Sequence, residues 1–360
     1  MNQEERSVHV IIPARNEQDA IGRCLESLVH QQGIDFAITV VDDGSTDRTR
    51  AIAESFSSVS VISSSEPAAG ITGKCNALIF AVKDIGARDV HARWLLFTDA
   101  DTFHYPGSLA SAVAEAEERG VDLLSYSPEQ ETITWIEKAL MPVIFAELMR
   151  SYRPEQVNNP ESPAVAANGQ YILVCRKTYD ALGGHAAIAG CVLEDVELAR
   201  LFKTTGHKIW FRHGAGLVKT RMYRSFPAMV EGWTKNLALL FDRPVGLALL
   251  RLLEVGMISS ALVTGPILVV RDQSAGLALL GTGILLDLLF MTRIRKAQFP
   301  WTANMMAIFG LPLFVFLLLR SYLHSSVRGA VNWKGRRYIH SAPPAMVDSS
   351  IRKGNSTFKG

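Results

Sequence analysis

The sequence predicts an α/β fold, a mostly parallel sheet with helices on both faces, followed by helices embedded in a membrane. Three observations carry that expectation. Short β-rich runs alternate with helical stretches through the first two-thirds of the chain, carboxylate-rich turns directly follow two of those runs, and from about Pro244 the composition turns apolar.

Taken in order, Val8–Pro13 reads as a buried strand and Asp19–Gln31 as an amphipathic helix with Ile21, Leu25 and Leu28 on one face. Ala37–Val41 is the next strand, followed by a turn and a helix over Arg48–Phe56. Val59–Ser63 is a third strand, Lys74–Val82 a helix and Trp94–Thr98 a fourth strand. Leu193–Phe202 returns to helical spacing, with Leu198, Leu201 and Phe202 facing inward. In open sheets of this kind ligands bind beyond the carboxyl ends of the strands, so the informative residues are those that follow them.

Composition narrows the function. The chain has 360 residues, a length that fits one ordinary domain plus an appendage. A formal net charge of +2 implies no nucleic-acid partner. Cys24, Cys75, Cys175 and Cys191 lie far apart with no CxxC pair, which argues against zinc and against a disulfide framework. A mean hydropathy of +0.14 is high for a wholly soluble enzyme. The polar start, Met1–Arg6, leads straight into a strand, so no signal peptide is expected and the catalytic part should stay in the cytosol.

Asp42-Asp43-Gly44-Ser45-Thr46-Asp47 follows the second strand. A carboxylate there can accept hydrogen bonds from a uracil N–H or ribose hydroxyls, Gly44 permits the sharp turn, and Ser45 or Thr46 can cap the next helix. By itself this is equally an ordinary strand–turn–helix. Asp99-Ala100-Asp101 follows the fourth strand, where two carboxylates can hold Mg2+ or Mn2+ against a diphosphate. Glu194-Asp195 opens a helix whose positive dipole end keeps a carboxylate ionised and basic. Gly183-Gly184-His185 just upstream suggests a loop that brings this helix near a ligand. His185, His207 and His213 lack a metal-ligand spacing, and a structural role is expected for each.

Pro13-Ala14-Arg15-Asn16-Glu17, the Asp42–Asp47 turn, Gly73-Lys74, the Asp99–Asp101 triplet, Asn168-Gly169, Gly183-Gly184 and Leu193-Glu194-Asp195 occur in the order seen in family 2 glycosyltransferases. The chain resembles that family from about Val8 to Asn236. The resemblance implies a GT-A fold and an inverting single displacement from a nucleotide sugar such as a UDP-sugar. It places Pro13 and Glu17 in the nucleotide pocket, Asp42 or Asp43 on the uracil or ribose, and Lys74 on the nucleotide or its phosphates. Asp101 becomes the principal metal ligand, with Asp99 nearby on ribose and metal, and Asp195 the general base ahead of Glu194.

Arg221-Met222-Tyr223, Glu231–Asn236 and Trp333–Tyr338 are similar to bacterial enzymes that glycosylate apolar lipids, of the 4,4'-diaponeurosporenoate and hopanoid-associated type, with ceramide-glucosyltransferase-like relatives. A membrane lipid acceptor follows from that likeness. Processive polysaccharide synthases carry an arginine before the motif tryptophan, whereas Val230-Glu231-Gly232 precede Trp233 here. Contact with the diphosphate then falls to Lys235 or Arg221. Trp233 either stacks on the acceptor or is a core residue, and His185 is the histidine to test. A polysaccharide synthase and a non-catalytic nucleotide-sugar-binding scaffold are the competing readings.

The expected organisation is a cytoplasmic GT-A domain over 1–243, membrane helices over 244–325 (about 255–270, 275–291 and 303–323) and a basic, partly disordered tail over 326–360. Arg251 and Glu254 can pair at helical spacing. With the catalytic domain on the cytoplasmic side of the inner membrane, a third crossing would put Arg320, Arg328, Lys334, Arg336 and Arg337 outside, against the positive-inside rule. A break at Gly310-Leu311-Pro312, making a re-entrant hairpin, would avoid this.

Overall fold

The computed structural model describes residues 8–87, 92–327, 330–333 and 336–339. The sequence-predicted alternation is present: β1 Val8–Ala14, α1 Ile21–Val29, β2 Phe36–Asp42, α2 Thr49–Glu54, β3 Val59–Ser63, α3 Gly73–Ala87 and β4 Trp94–Phe97. Then come β5 Thr102–His104, α4 Ser108–Arg119, β6 Leu123–Ser127, β7 Glu129–Gln130, α5 Trp135–Ser151 and α6 Pro154–Val157. The domain closes with β8 Ile172–Cys175, α7 Arg176–Ala181, α8 Glu194–Thr204, β9 Ile209–His213, β10 Val218–Thr220 and α9 Phe226–Asn236.

A seven-stranded sheet runs in the order β3-β2-β1-β4-β8-β6-β9. Only β8 is antiparallel to its neighbours. The chain winds outward from β1 through β2 to β3, then returns to add β4 on the other side of β1. This reversal of strand order opens a crevice beyond the carboxyl ends of β1 and β4. Both faces are covered. Leu25 and Leu28 of α1 and Leu109 and Val113 of α4 pack on one face, and Leu78 and Ile85 of α3 with Leu198 and Phe202 of α8 pack on the other.

A third core joins the sheet domain to the apolar helices α10 Pro244–Arg271, α11 Gln273–Ile294 and α12 Trp301–Tyr322. Each is long and apolar enough to cross a membrane. α10 and α11 form a hairpin joined at Asp272, whose carboxylate accepts the Ala275 N–H at 3.1 Å. Small residues let the two helices approach: a Cβ on Gly265 or Gly276 would press into the backbone opposite. At the hairpin base Arg251 pairs with Glu254 at 2.8 Å, as its spacing predicted, and with the fully buried Glu147 of α5 at 3.0 Å. Arg293 completes the cluster on Glu254 at 2.8 Å.

The expected break at Gly310-Leu311-Pro312 is not there, because α12 runs through it without interruption. Gly310 instead sits against the backbone of α5, where a Cβ would lie 2.0 Å from the Ala139 carbonyl oxygen. The residue type that suggested a break serves a close helix crossing. Two short strands, β11 Ala330–Trp333 and β12 Arg336–Ile339, pair antiparallel, and β11 lies beside α9. Apart from these segments, the tail expected to be disordered lies outside the described residues.

Gly310→Ala should therefore destabilise the full-length protein by about 1–3 kcal/mol through overpacking, while Gly281→Ala, with open space around it, should be neutral. Thermal unfolding in detergent compares them, and equal midpoints would contradict the crossing.

Candidate active site

The loops that follow β1 and β2 are laced together. Gly44 takes φ +70°, as the sharp turn requires. Asn16 accepts the Thr46 N–H at 2.9 Å, and its own N–H donates to Ser45 Oγ at 3.1 Å. Ser45 and Thr46 are thereby occupied, and it is Asp47 that accepts the Thr49 N–H at 2.9 Å at the start of α2. Asp42 and Asp43 are equally buried but differ in what they meet: Asp42 accepts the N–H of Ser45 in its own turn, and Asp43 lines the crevice. Of the two alternatives for the nucleotide contact, Asp43 is the one that faces the crevice.

The crevice is a cleft of about 580 Å³ lined by Pro13, Arg15, Glu17, Asp43, Lys74, Asp99, Asp101, Glu194, Asp195, Trp233 and Lys235 among others. At its floor the Lys74 Nζ lies 2.7 Å from Asp99 and 2.8 Å from Glu194. Burial works against the lysine's charge, but the two carboxylates outweigh it and hold its pKa well above the usual value. Gly169 makes room for this meeting, since a Cβ there would lie 2.8 Å from Nζ and 3.5 Å from both Glu194 and Asp195.

Glu194 and Asp195 open α8 as predicted, yet their environments split them. Burial opposes ionisation of Glu194, but Lys74 and Lys235 prevail and its pKa is lowered. Asp195 accepts the Gly169 N–H at 2.9 Å and the Val196 N–H at 2.9 Å. Burial, then the charge of Glu194, nevertheless push its pKa up to about 6. The helix dipole was expected to keep this carboxylate low, and burial beside a like charge reverses that.

Asp99 and Asp101 both face the cleft, and Asp101 accepts from the Gln170 side chain at 3.5 Å. Among the described residues no three acidic, histidine or cysteine side chains converge on one point. Two carboxylates fit a hard ion of the Mg2+ class that completes its shell with diphosphate oxygens and water, rather than one caged by protein alone.

Two candidate contacts are engaged within the protein. His185 is buried, hydrogen-bonded through Nδ1 to Tyr179 Oη at 2.8 Å and set edge-on to Phe97. Burial lowers its pKa to about 4, so it is a neutral core residue outside the cleft. Its glycine-flanked loop packs against α3 and α8. Arg221 reaches the cleft edge, but its guanidinium is engaged by Glu137 at 2.8 Å. Lys235, half-buried, also lines the cleft and feels the charges of Glu194, Asp99 and Asp195. Trp233 is 3% exposed and packed against Phe145 and Tyr223, a core residue that also borders the cleft.

Sequence reasoning missed the apolar half of the cleft. Phe145, Leu148, Met149 and Tyr152 from α5 and its end line it together with Leu240, and Tyr152 Oη donates to the Leu240 carbonyl at 2.7 Å. The available signal was the capping box Thr134/Glu137, which opens the apolar run Ala139–Ala146.

The family model described as "Glycosyl transferase family 2" matches residues 9–182. Those residues belong to glycosyl transferase family 2. The 4,4'-diaponeurosporenoate glycosyltransferase of Staphylococcus aureus (strain MRSA252) is 27% identical over 354 residues, covering 94% of this chain and 90% of its own. That of strain USA300 shows the same identity and coverage. Among solved structures, the mannosyltransferase PcManGT from Pyrobaculum calidifontis, in complex with GDP-Man and Mn2+, is 17% identical with a TM-score of 0.47, over 88% of this chain and 86% of its own. S. aureus TarS 1-349 in complex with UDP-GlcNAc is 16% identical with a TM-score of 0.41, over 98% and 99%. The protein is a glycosyltransferase, and its sheet, with one reversed strand, has the GT-A form.

Because Gly169 clears the Lys74 ammonium, Gly169→Ala should displace that side chain without unfolding the domain. The transfer rate should fall about tenfold or more, equivalent to ~1.4 kcal/mol in the barrier. Circular dichroism together with an assay of sugar transfer reads both, and an unchanged rate would refute the arrangement.

Proposed function

We propose that the enzyme transfers a hexose from a nucleotide sugar, a UDP-sugar, to a membrane lipid acceptor of carotenoid, hopanoid or sphingolipid-like character. The observation that carries this reading is a cleft with two chemically distinct halves. One is acidic and cationic, Asp43, Asp99, Asp101 and Lys74, and the other is apolar, Phe145, Leu148, Met149 and Leu240. The named substrate of the S. aureus relatives, a 4,4'-diaponeurosporenoate, is consistent with an apolar acceptor.

Asp43 and Glu17 would hold the nucleoside, with Pro13 shaping the wall of the pocket. Asp101, with Asp99, would hold Mg2+ or Mn2+, which supplies charge neutralisation for the departing diphosphate. Lys235 would add a second positive charge on that side, in the role an arginine takes in the processive enzymes. Asp195 would take the proton of an acceptor hydroxyl as its oxygen bonds to the sugar carbon. The bond from that carbon to the diphosphate breaks on the opposite side, which inverts the configuration. A pKa near 6 suits this task, because the carboxylate is mostly ionised at neutral pH and more basic than an ordinary aspartate. The catalytic domain, residues 1–243, would face the cytoplasm at the inner membrane, where the nucleotide sugar is made.

The sign of the pH dependence follows. A base with a raised pKa loses its function as pH falls, so the rate should drop through about pH 6 and level off above it. Asp195→Asn should lower kcat by about 10²–10⁴-fold with a hydroxyl acceptor while donor binding persists. With a carboxylic-acid acceptor, which arrives ionised, the loss should be far smaller. Nucleotide release from membranes carrying each variant measures this, and full activity of Asp195→Asn on an alcohol would rule out the base. Asp101→Asn should abolish the stimulation of donor binding by Mn2+, read by calorimetry.

A further inference from the structure

We propose that α12 does not cross the bilayer but lies in the plane of the membrane surface beneath the catalytic domain, with its outer face docked into anionic lipid. The first ground is where its ends lie. Phe299, just before the helix, packs on Phe145 with ring centroids 5.8 Å apart. At the other end Ser321 Oγ accepts the Ala238 N–H at 2.9 Å, and Arg320 Nε donates to Thr234 Oγ1 at 3.1 Å. Phe145 lines the catalytic cleft, and Thr234 lies between Trp233 and Lys235, which line it too. A cleft built of ionised side chains must stand in water. Both ends of α12 are therefore held on the aqueous domain, while a crossing would carry one end through ~30 Å of hydrocarbon away from it.

The second ground is the pattern of burial around the helix. Ala303, Ala307, Leu311, Phe314, Leu318 and Ser321 are buried at helical spacing against the protein. On the other side Trp301, Met305, Phe309, Phe316 and Leu323 form an exposed apolar stripe, with Trp301 and Phe309 more than 70% exposed. α10 and α11 differ, since 17% of their apolar windows is buried against 50% in α12. The stripe begins just after exposed Arg295 and Lys296 and carries exposed Arg320 near its end, so cations bracket the apolar residues as a headgroup layer demands.

The third ground is the chain that follows. β11 lies beside α9, so the backbone after α12 is still on the catalytic side. Only the α10–α11 hairpin then traverses the hydrocarbon, and Arg320 and the basic tail share the side of Arg293, Arg295 and Lys296. This satisfies the charge rule that a third crossing breaks.

Depth measurements on the full-length protein in phosphatidylglycerol/phosphatidylethanolamine vesicles test it. Spin labels are placed at Met305→Cys, Phe309→Cys and Phe316→Cys, with Ile284→Cys in the hairpin as reference, after Cys175 and Cys191 are made serine. All four positions are exposed, so the fold should tolerate the labels. An in-plane helix gives one shallow depth for the three α12 sites, less than that of Ile284. A steady change of ~16 Å from 305 to 316 would overturn the proposal. Independently, alkaline phosphatase fused after Gly360 should be inactive and green fluorescent protein fused there should fluoresce. The reverse pattern would overturn it as well. Neither readout depends on the donor or acceptor assigned above.

Discussion

The cleft depends on one ammonium group. Lys74 stands at the start of α3, Asp99 beyond β4 and Glu194 at the start of α8, three places far apart in the chain. They meet only because Nζ bridges two carboxylates that would otherwise repel across a poorly solvated floor. Gly169 leaves the necessary room, and its N–H also holds Asp195. A single charge thus fixes the geometry and separates two adjacent acids. Glu194, paired with the lysine, keeps its charge, and Asp195, buried beside that charge, becomes the more basic of the two. Pairs of acids driven apart in this way recur where one must hold position and the other must exchange a proton.

Much of this was legible in the sequence because it is local. A strand followed at once by Asp99-Ala100-Asp101 must deliver carboxylates to the sheet edge, whatever packs elsewhere. Glu194-Asp195 before a helical apolar pattern must sit in the first turn. What local pattern could not fix was direction. Asp42 and Asp43 are adjacent at a strand end, so one must turn away from the other, and only the Ser45 N–H decides which. His185 next to two glycines reads as part of a loop near a ligand, but the Tyr179 hydroxyl gives its ring and backbone a core partner six residues away. The opposing half of the cleft was invisible for a different reason. An apolar run such as Ala139–Ala146 looks the same whether it fills a core or walls a binding site.

Hydropathy has the same blindness with α12. An apolar helix with protein on one side and lipid on the other scores like one surrounded by lipid, and Gly310 before Pro312 resembles a break in either case. The difference lies in contacts that a linear pattern does not encode, chiefly the approach of Gly310 to the Ala139 carbonyl and the anchoring of Ser321 on Ala238.

The buried charges at the hairpin base supply the remaining link between membrane and chemistry. Glu147, Arg251, Glu254 and Arg293 pair with one another at the root of α10 and α11, and such charges are too costly to draw into hydrocarbon. On the proposed membrane reading they would act as a stop that sets how deep the hairpin sinks. Glu147 belongs to α5, the helix that also presents Phe145, Leu148 and Met149 to the cleft. On that reading depth and cleft position would be coupled through α5. On the proposed reading the apolar wall sits at the lipid surface, where an acceptor can keep its tail among acyl chains while its reactive end reaches Asp195. A protein that bound a water-soluble acceptor would gain nothing from tying its cleft to this stop.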